Sequence, residues 1–96
     1  MNLRLGQRLC HVEWAHGQPW IRIGIVTKVT KTTYHVDGRP AQEWSSTPVA
    51  AIRMEIYAIF REYGGIFPVR SADERADAVE CLCRLRRLAR RLRIDL

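Results

Sequence analysis

Hydrophobic and polar residues alternate with a period of two through the first half of the chain, which is typical of β-strands. The clearest stretch is residues 20–29, which are rich in β-branched side chains. One alternating set is Ile21, Ile23, Ile25, Thr27 and Val29, and the other is Trp20, Arg22, Gly24, Val26 and Lys28. We predict that this strand is the centre of a small β-sheet.

Neighbouring stretches carry the same alternation. Residues 6–14 predict a first strand, residues 33–37 a third strand, and residues 42–44 a short fourth strand. The two predicted faces of the first strand carry Cys10, Val12 and Trp14, and Leu9, His11 and Glu13, respectively.

Glycine and proline mark the predicted turns, because glycine adopts unusual backbone angles and proline fixes its own. Turns are expected at residues 15–19, 28–33 and 37–40. Gly24 lies inside a strand, where it predicts a bend or a β-bulge. Bends of this kind curl strands, and we expect the sheet to close into a small barrel.

The period changes to three or four residues after the fourth strand, which indicates helices. Thr47 is the expected N-cap, and Pro48 takes the first helical position, where its missing N–H costs nothing. The apolar stripe of this helix, predicted over residues 48–63, is Val49, Ile52, Ile56, Ile59, Phe60 and Tyr63. Residues 64–65 are both glycine and should end the helix, and residues 66–69 predict a short extended segment.

A second helix is predicted over residues 72–93. It begins with a capping box, in which Ser71 and Glu74 satisfy each other's backbone N–H. Its apolar stripe is Ala78, Leu82, Leu85, Ala89 and Leu92, flanked by Leu88. Four acidic residues lie in the first half of this helix, and six arginines lie in the second half. That order of charges suits the helix dipole.

These elements predict a single α+β domain over residues 1–96. A small antiparallel β-barrel of four to five strands should occupy residues 5–45, and helices should follow at 48–63 and 72–93. One helix is expected to pack across the mouth of the barrel.

Fourteen arginines and two lysines against ten acidic residues give the chain a net charge of +6. Positive charge attracts anionic partners, although a GC-rich genome is an equally good reason for the arginine bias. Three cysteines are an odd number, which favours free thiols in a reducing compartment. Since no signal peptide and no apolar run of about 18 residues is visible, we expect a soluble cytoplasmic protein.

The arginines of the second helix are the first candidate site. On a helical wheel Arg84, Arg87 and Arg91 cluster opposite the leucines, and Arg86, Arg90 and Arg93 widen that side. Guanidinium groups pair bidentately with both phosphates and carboxylates. Three interpretations stay open: a solvated helix face, a contact with nucleic acid, and a contact with an acidic protein.

The second candidate is the strand face with Trp20, Arg22 and Lys28, followed by Lys31 at the turn. An aromatic ring beside cations stacks on bases or anchors a protein interface. The alternative is that Trp20 covers one end of the barrel. Trp14, Tyr34 and Trp44 are assigned to the core rather than to an aromatic cage.

Metal binding and catalysis have weaker indications. Cys81 and Cys83 lie two residues apart on a helix and therefore point about 200° apart, whereas structural zinc prefers a Cys-x₂₋₄-Cys spacing. No glycine-rich phosphate loop, nucleophile elbow or paired-carboxylate motif is visible. We expect no metal site, no cofactor and no enzymatic activity.

Three short motifs follow one another within residues 5–40. They are G-x-x-x-C-x-V-x-W, W-x-x-x-G-x-V-x-x-V and Y-x-V-D-G, formed by Gly6, Cys10, Val12 and Trp14; Trp20, Gly24, Val26 and Val29; and Tyr34, Val36, Asp37 and Gly38. In this order they resemble the first strands of small SH3-like barrels of the Tudor and KOW kind. Together with the basic C-terminal helix, the chain is similar to uncharacterised small bacteriophage proteins.

The resemblance implies a binding module without chemistry. Tudor-like proteins bind methylated side chains, KOW-like proteins bind nucleic acid or ribonucleoprotein, and small phage proteins often inhibit host machinery. We therefore expect a phage-type inhibitor, of the anti-CRISPR kind, that sterically blocks an acidic surface of a host protein or ribonucleoprotein in the bacterial cytoplasm. The alternative is a nucleic-acid-binding module that uses DNA or RNA as its partner.

Either function should use the same basic and aromatic residues, which are Arg84, Arg87, Arg90, Arg91, Trp20, Arg22, Lys28 and Lys31. Pairing of two copies through the leucine stripe stays open.

Overall fold

The computed structural model describes residues 2–63 and 71–96. Its elements, in chain order, are β1 (Arg8–Ala15), β2 (Gln18–Val29), β3 (Tyr34–Val36), β4 (Arg39–Ala41), α1 (Pro48–Tyr63) and α2 (Ala72–Arg91). The strands form one antiparallel sheet in chain order, so the predicted α+β class is confirmed. The predictions for residues 64–65 and 66–69, and for the side chain of Tyr63, lie outside the described residues.

Two-residue turns join β1 to β2 and β3 to β4. The φ angles are 52° and 73° at His16 and Gly17, and 52° and 80° at Asp37 and Gly38. Positive φ at both positions suits a tight hairpin, because such a turn follows the right-handed twist of the strands. The second turn therefore occupies only two of residues 37–40, and the fourth strand begins at Arg39. The predicted position of that strand at residues 42–44 is wrong.

The β-bulge lies at Thr27 and not at Gly24. Gly24 pairs regularly with Leu9, whereas Val26 faces Val36 and Lys28 faces His35, which leaves one extra residue in β2. Cross-strand partners share a face of the sheet. Lys28 therefore lies on the face opposite Val26, and its predicted place beside Trp20 and Arg22 is wrong.

The prediction of a closed barrel is not confirmed, because β1 and β4 form the two edges of the sheet. A single bridge connects Cys10 of β1 to Ser45, with N–H···O distances of 2.6 and 2.8 Å. Glu43 has a φ of 63°. This left-handed conformation turns the chain away from an extended path two residues before the bridge.

Both faces of the sheet contribute to the core. The helix-side core consists of Cys10, Val12, Ala51, Ile52, Ile59, Ala78, Leu85, Leu88 and Ala89. The hairpin-side core on the opposite face consists of Leu9, Val26 and Val36, with Tyr34 and Trp44 packed against it. Leu9 and Cys10 enter different cores, which confirms the predicted alternation of β1. The core assignment of Trp14, Tyr34 and Trp44 is also confirmed.

Local hydrogen bonds define where the helices begin. The N–H of Ala50 donates to Thr47 Oγ1 at 3.1 Å, and the N–H of Glu74 donates to Ser71 Oγ at 3.2 Å. Both predicted N-caps are thereby confirmed, as are the predicted bounds of α1.

Helix α2 ends at Arg91, two residues earlier than predicted. Arg93 has a φ of 55°. The N–H of Arg93 donates to the Arg90 carbonyl at 3.1 Å, and the N–H of Ile94 donates to the Ala89 carbonyl at 2.8 Å. This pair of bonds is a Schellman motif, and Arg93 occupies the position that usually carries glycine.

The substitution Arg93→Gly should raise the free energy of unfolding by about 1 kcal/mol, because an L-residue other than glycine pays for a left-handed conformation. Urea denaturation measures the change. The control Arg87→Gly places glycine at an exposed position inside the helix and should cost about 1 kcal/mol. Destabilisation by Arg93→Gly would contradict this account of the helix end.

Candidate binding surfaces

The guanidinium group of Arg84 forms hydrogen bonds within the molecule. Its Nε donates to Glu80 Oε1 at 3.0 Å, one turn earlier on α2, and its Nη1 donates to the carbonyl oxygen of Gly17 in the β1–β2 turn. The side chain therefore ties α2 to the first hairpin. Of the four α2 arginines predicted to bind a partner, Arg84 is the one whose guanidinium is already occupied.

The arginines that follow it face solvent. Leu85, Leu88 and Ala89 are buried, which turns the opposite side of α2 outward. We call the set of Arg86, Arg87, Arg90 and Arg91 the arginine surface; all four are exposed, and none has an ion-pair partner among the described residues. Neighbours three or four residues apart on a helix have Cβ atoms about 5–6 Å apart, so the four charges form one continuous patch.

The predicted residues on β2 do not join this patch. Ile21 packs into the helix-side core, and its neighbours Trp20 and Arg22 therefore project to the other face of the sheet. Lys28 lies eight residues, or about 26 Å, further along the strand from Trp20. Lys31 is exposed between Thr30 and Thr33, whose side chains and backbones close the β2–β3 turn. The eight predicted residues are thus distributed over at least three separate places.

Arg22 is held by its neighbours on the sheet. Its Nη1 contacts Glu13 Oε1 at 2.7 Å, its Nη2 lies 3.7 Å from Asp37 Oδ2, and its guanidinium lies 5.9 Å from the centre of the Trp44 ring. The hydrogen bond to Glu13 and the negative charge of that carboxylate raise the pKa of Arg22 above its ordinary value. Arg22 consequently orders the sheet face, and half-exposed Trp20 beside it remains the accessible group there.

An exposed aromatic stripe on α1 was not predicted from the sequence. It consists of Met54, Tyr57 and Phe60, and Tyr57 and Phe60 are 68% and 57% exposed. The guanidinium carbon of Arg61 lies 6.0 Å from the centre of the Tyr57 ring. Helical spacing predicts Phe60 in the apolar stripe that faces the core, and this prediction is wrong. The sequence does indicate that some apolar residues of α1 are exposed. They occur on nearly every side of α1, whereas a helix at the surface normally has one apolar face.

A groove of about 260 Å³ lies beside the aromatic stripe. It is lined by residues of α1, by His11 and Val12 of β1, and by Glu43. Glu55 in its wall accepts a hydrogen bond from the indole N–H of Trp14 at 2.9 Å. The groove therefore combines apolar side chains, fixed charges and the edge of a β-strand.

The three thiols differ in their exposure to solvent. Cys10 is buried, Cys81 is half-buried and Cys83 is exposed. Burial raises the pKa of Cys10 and is the largest cause of the raised pKa of Cys81. Over residues 2–63 and 71–96, no group of three or more His, Cys, Asp or Glu side chains converges to hold a metal ion.

In the described part of the chain, neither helix combines the length and apolar character that a membrane crossing needs. We compared the chain with protein-family models, with curated proteins and with solved structures, and nothing matched.

Proposed function

We propose that this protein is a non-enzymatic binding protein that docks on a partner protein and acts by occupying its surface. The observation that carries the proposal is the aromatic stripe, Met54, Tyr57 and Phe60, exposed beside Arg61. Aromatic residues, methionine and arginine are the side chains enriched at protein interfaces. Apolar side chains grouped on one exposed face mark a candidate interaction site, and a partner that covers them gains the free energy of burying that surface.

The charge of the protein indicates the kind of partner. The arginine surface places four neighbouring positive charges on α2, and the whole chain has a net charge of +6. Complementary charge speeds association and excludes like-charged partners. We infer that the partner presents an acidic surface, as an acidic protein or a ribonucleoprotein does.

A more specific form of the proposal is a phage-type inhibitor of a bacterial host protein, of the anti-CRISPR kind. It rests on the resemblance of residues 5–40 to small SH3-like barrels and to small phage proteins. The Cys10–Ser45 bridge supports the SH3-like part of that resemblance, since it returns the chain after β4 to the free edge of β1. An inhibitor this basic would cover an acidic site directly, because imitation of DNA requires acidic residues.

The aromatic stripe is tested with the double variant Tyr57→Ser and Phe60→Ser in a pull-down from a nuclease-treated bacterial lysate. A single interface hot spot contributes about 2 kcal/mol or more, which corresponds to about thirtyfold in affinity. The double variant should lose at least this much affinity for the captured protein. Both side chains are exposed, and circular dichroism should show unchanged folding. Full capture by the variant, or no stoichiometric protein captured by the wild type, would contradict the proposal.

Nucleic-acid binding is the second candidate, and the arginine surface favours it. The variant with Arg87→Glu, Arg90→Glu and Arg91→Glu changes the net charge from +6 by −2 at each position, to 0. The matched control changes the exposed Arg4, Arg8 and Arg39 to Glu. If three guanidinium groups meet phosphates, the log–log salt dependence should have a slope of about −2.7. The α2 variant alone should lose that dependence, and equal losses in both variants would refute a local site.

A further inference from the structure

The outer edge of β1 has two residues whose outward backbone groups have no partner in the described chain. Cys10 uses its N–H and C=O for Ser45, on the side away from β2. Backbone groups in a strand alternate in direction, so Val12 and Trp14 turn their N–H and C=O to that same side. No hydrogen bond to these groups is formed within residues 2–63 and 71–96.

The chain itself shows what this edge accepts. Residue 45 lies antiparallel to β1 at Cys10, as a short extended segment. Continuing that antiparallel register would bring residue 43 opposite Val12. Glu43 instead takes a left-handed conformation with a φ of 63°. The intramolecular pairing consequently stops at the position where the groove begins.

The groove gives the open edge a binding site of suitable shape. Val12 is only 4% exposed and yet lines the groove together with Glu43, which lies two residues before the Ser45 bridge. The groove therefore follows the same edge of β1 to which the backbone groups of Val12 point. A buried backbone group without a partner costs free energy, typically about 1–3 kcal/mol. An extended peptide backbone supplies matching donors and acceptors at the required spacing, as in other cases where a strand is added to a sheet edge.

We propose that the edge of β1 at Val12 and Trp14 binds an extended peptide segment of a partner protein, which adds an antiparallel strand to the sheet. The inference rests on the proposed function only in taking the partner to be a protein. The side chain opposite Val12 shares the helix-side face of the sheet. It lies toward Met54 and Tyr57, and an apolar residue fits there.

The probe is a displayed library of random seven-residue peptides, selected on the wild-type protein. Selected peptides should place apolar residues at alternate positions. Methylation of the backbone nitrogen at those positions should weaken binding at least tenfold, because their N–H groups face β1. Methylation at the intervening positions, whose N–H groups point away from β1, should leave affinity unchanged. Bound peptide should also slow amide exchange of Val12 and Trp14 at least tenfold, while Cys10, already bonded to Ser45, should change little.

A groove-filling variant provides the structural control. Ala58 lines the groove, and Ala58→Phe should abolish peptide binding, whereas Ala76→Phe on the exposed face of α2 should not. Three results would overturn the inference. They are equal loss of affinity on methylation at apolar and intervening positions, failure to select any peptide, and amide protection of Val12 that grows with protein concentration alone. The last result would indicate pairing of two copies. Capture of a protein partner through the aromatic stripe can succeed when the peptide test fails, so the two proposals are separable.

Discussion

Replacing Leu85 with alanine should lower the free energy of unfolding by about 3 kcal/mol. Leu85 is 0% exposed and lies in the helix-side core, and α2 packs there against α1 and β2. Truncating a fully buried leucine loses the transfer free energy of the removed atoms and leaves a cavity that the surrounding helices can fill only in part; together these cost about 2–5 kcal/mol. Urea denaturation should show a lower midpoint with an unchanged slope.

Leu92 offers a matched control for this substitution. The two leucines belong to the same apolar stripe in the sequence, yet Leu92 is 44% exposed. Leu92→Ala should therefore cost less than about 1 kcal/mol, because much of its surface is already in water. Equal costs at both positions would mean that α2 presents a different face to the core.

Gly24→Ala should destabilise the fold by about 2 kcal/mol, although strand propensity alone favours alanine or valine over glycine. A Cβ atom at this position would collide with Val36 Cγ1 and would lie 2.8 Å from Trp44 Cη2. Overpacking of this kind usually costs about 1–3 kcal/mol. Gly24→Val should cost more, since it adds two further carbons in the same space.

A double-mutant cycle identifies the cause of that loss. Val36→Ala removes the Cγ1 atom that meets the new Cβ. The double variant Gly24→Ala and Val36→Ala should therefore be about 1 kcal/mol more stable than the sum of the single variants indicates. Simple additivity would show that the space beside Gly24 is not limiting. Near-neutral behaviour of Gly24→Ala alone would rule out the close approach of Trp44.

The candidate surfaces were only partly predictable from the sequence. The outward position of the arginine surface follows from helical spacing, because it lies opposite residues that any amphipathic pattern would bury. The internal role of Arg84 does not follow in this way, since its partner Gly17 is 67 residues away in the chain. The aromatic stripe and the groove could not be predicted from the sequence either, because both depend on how α1 is rotated against β1.

Local interactions let the sequence determine the helix starts, the alternating faces of β1 and the α+β class. The N-caps at Thr47 and Ser71 act within three residues, and strand alternation follows from the geometry of consecutive peptide units.

The tertiary structure alone decided the bulge at Thr27, the open sheet, the close contact at Gly24 and the exposure of Phe60. Each of these depends on which distant residue arrives at a given place. A period along the chain gives the direction of a side chain, whereas the packing of whole elements selects the neighbour that it meets.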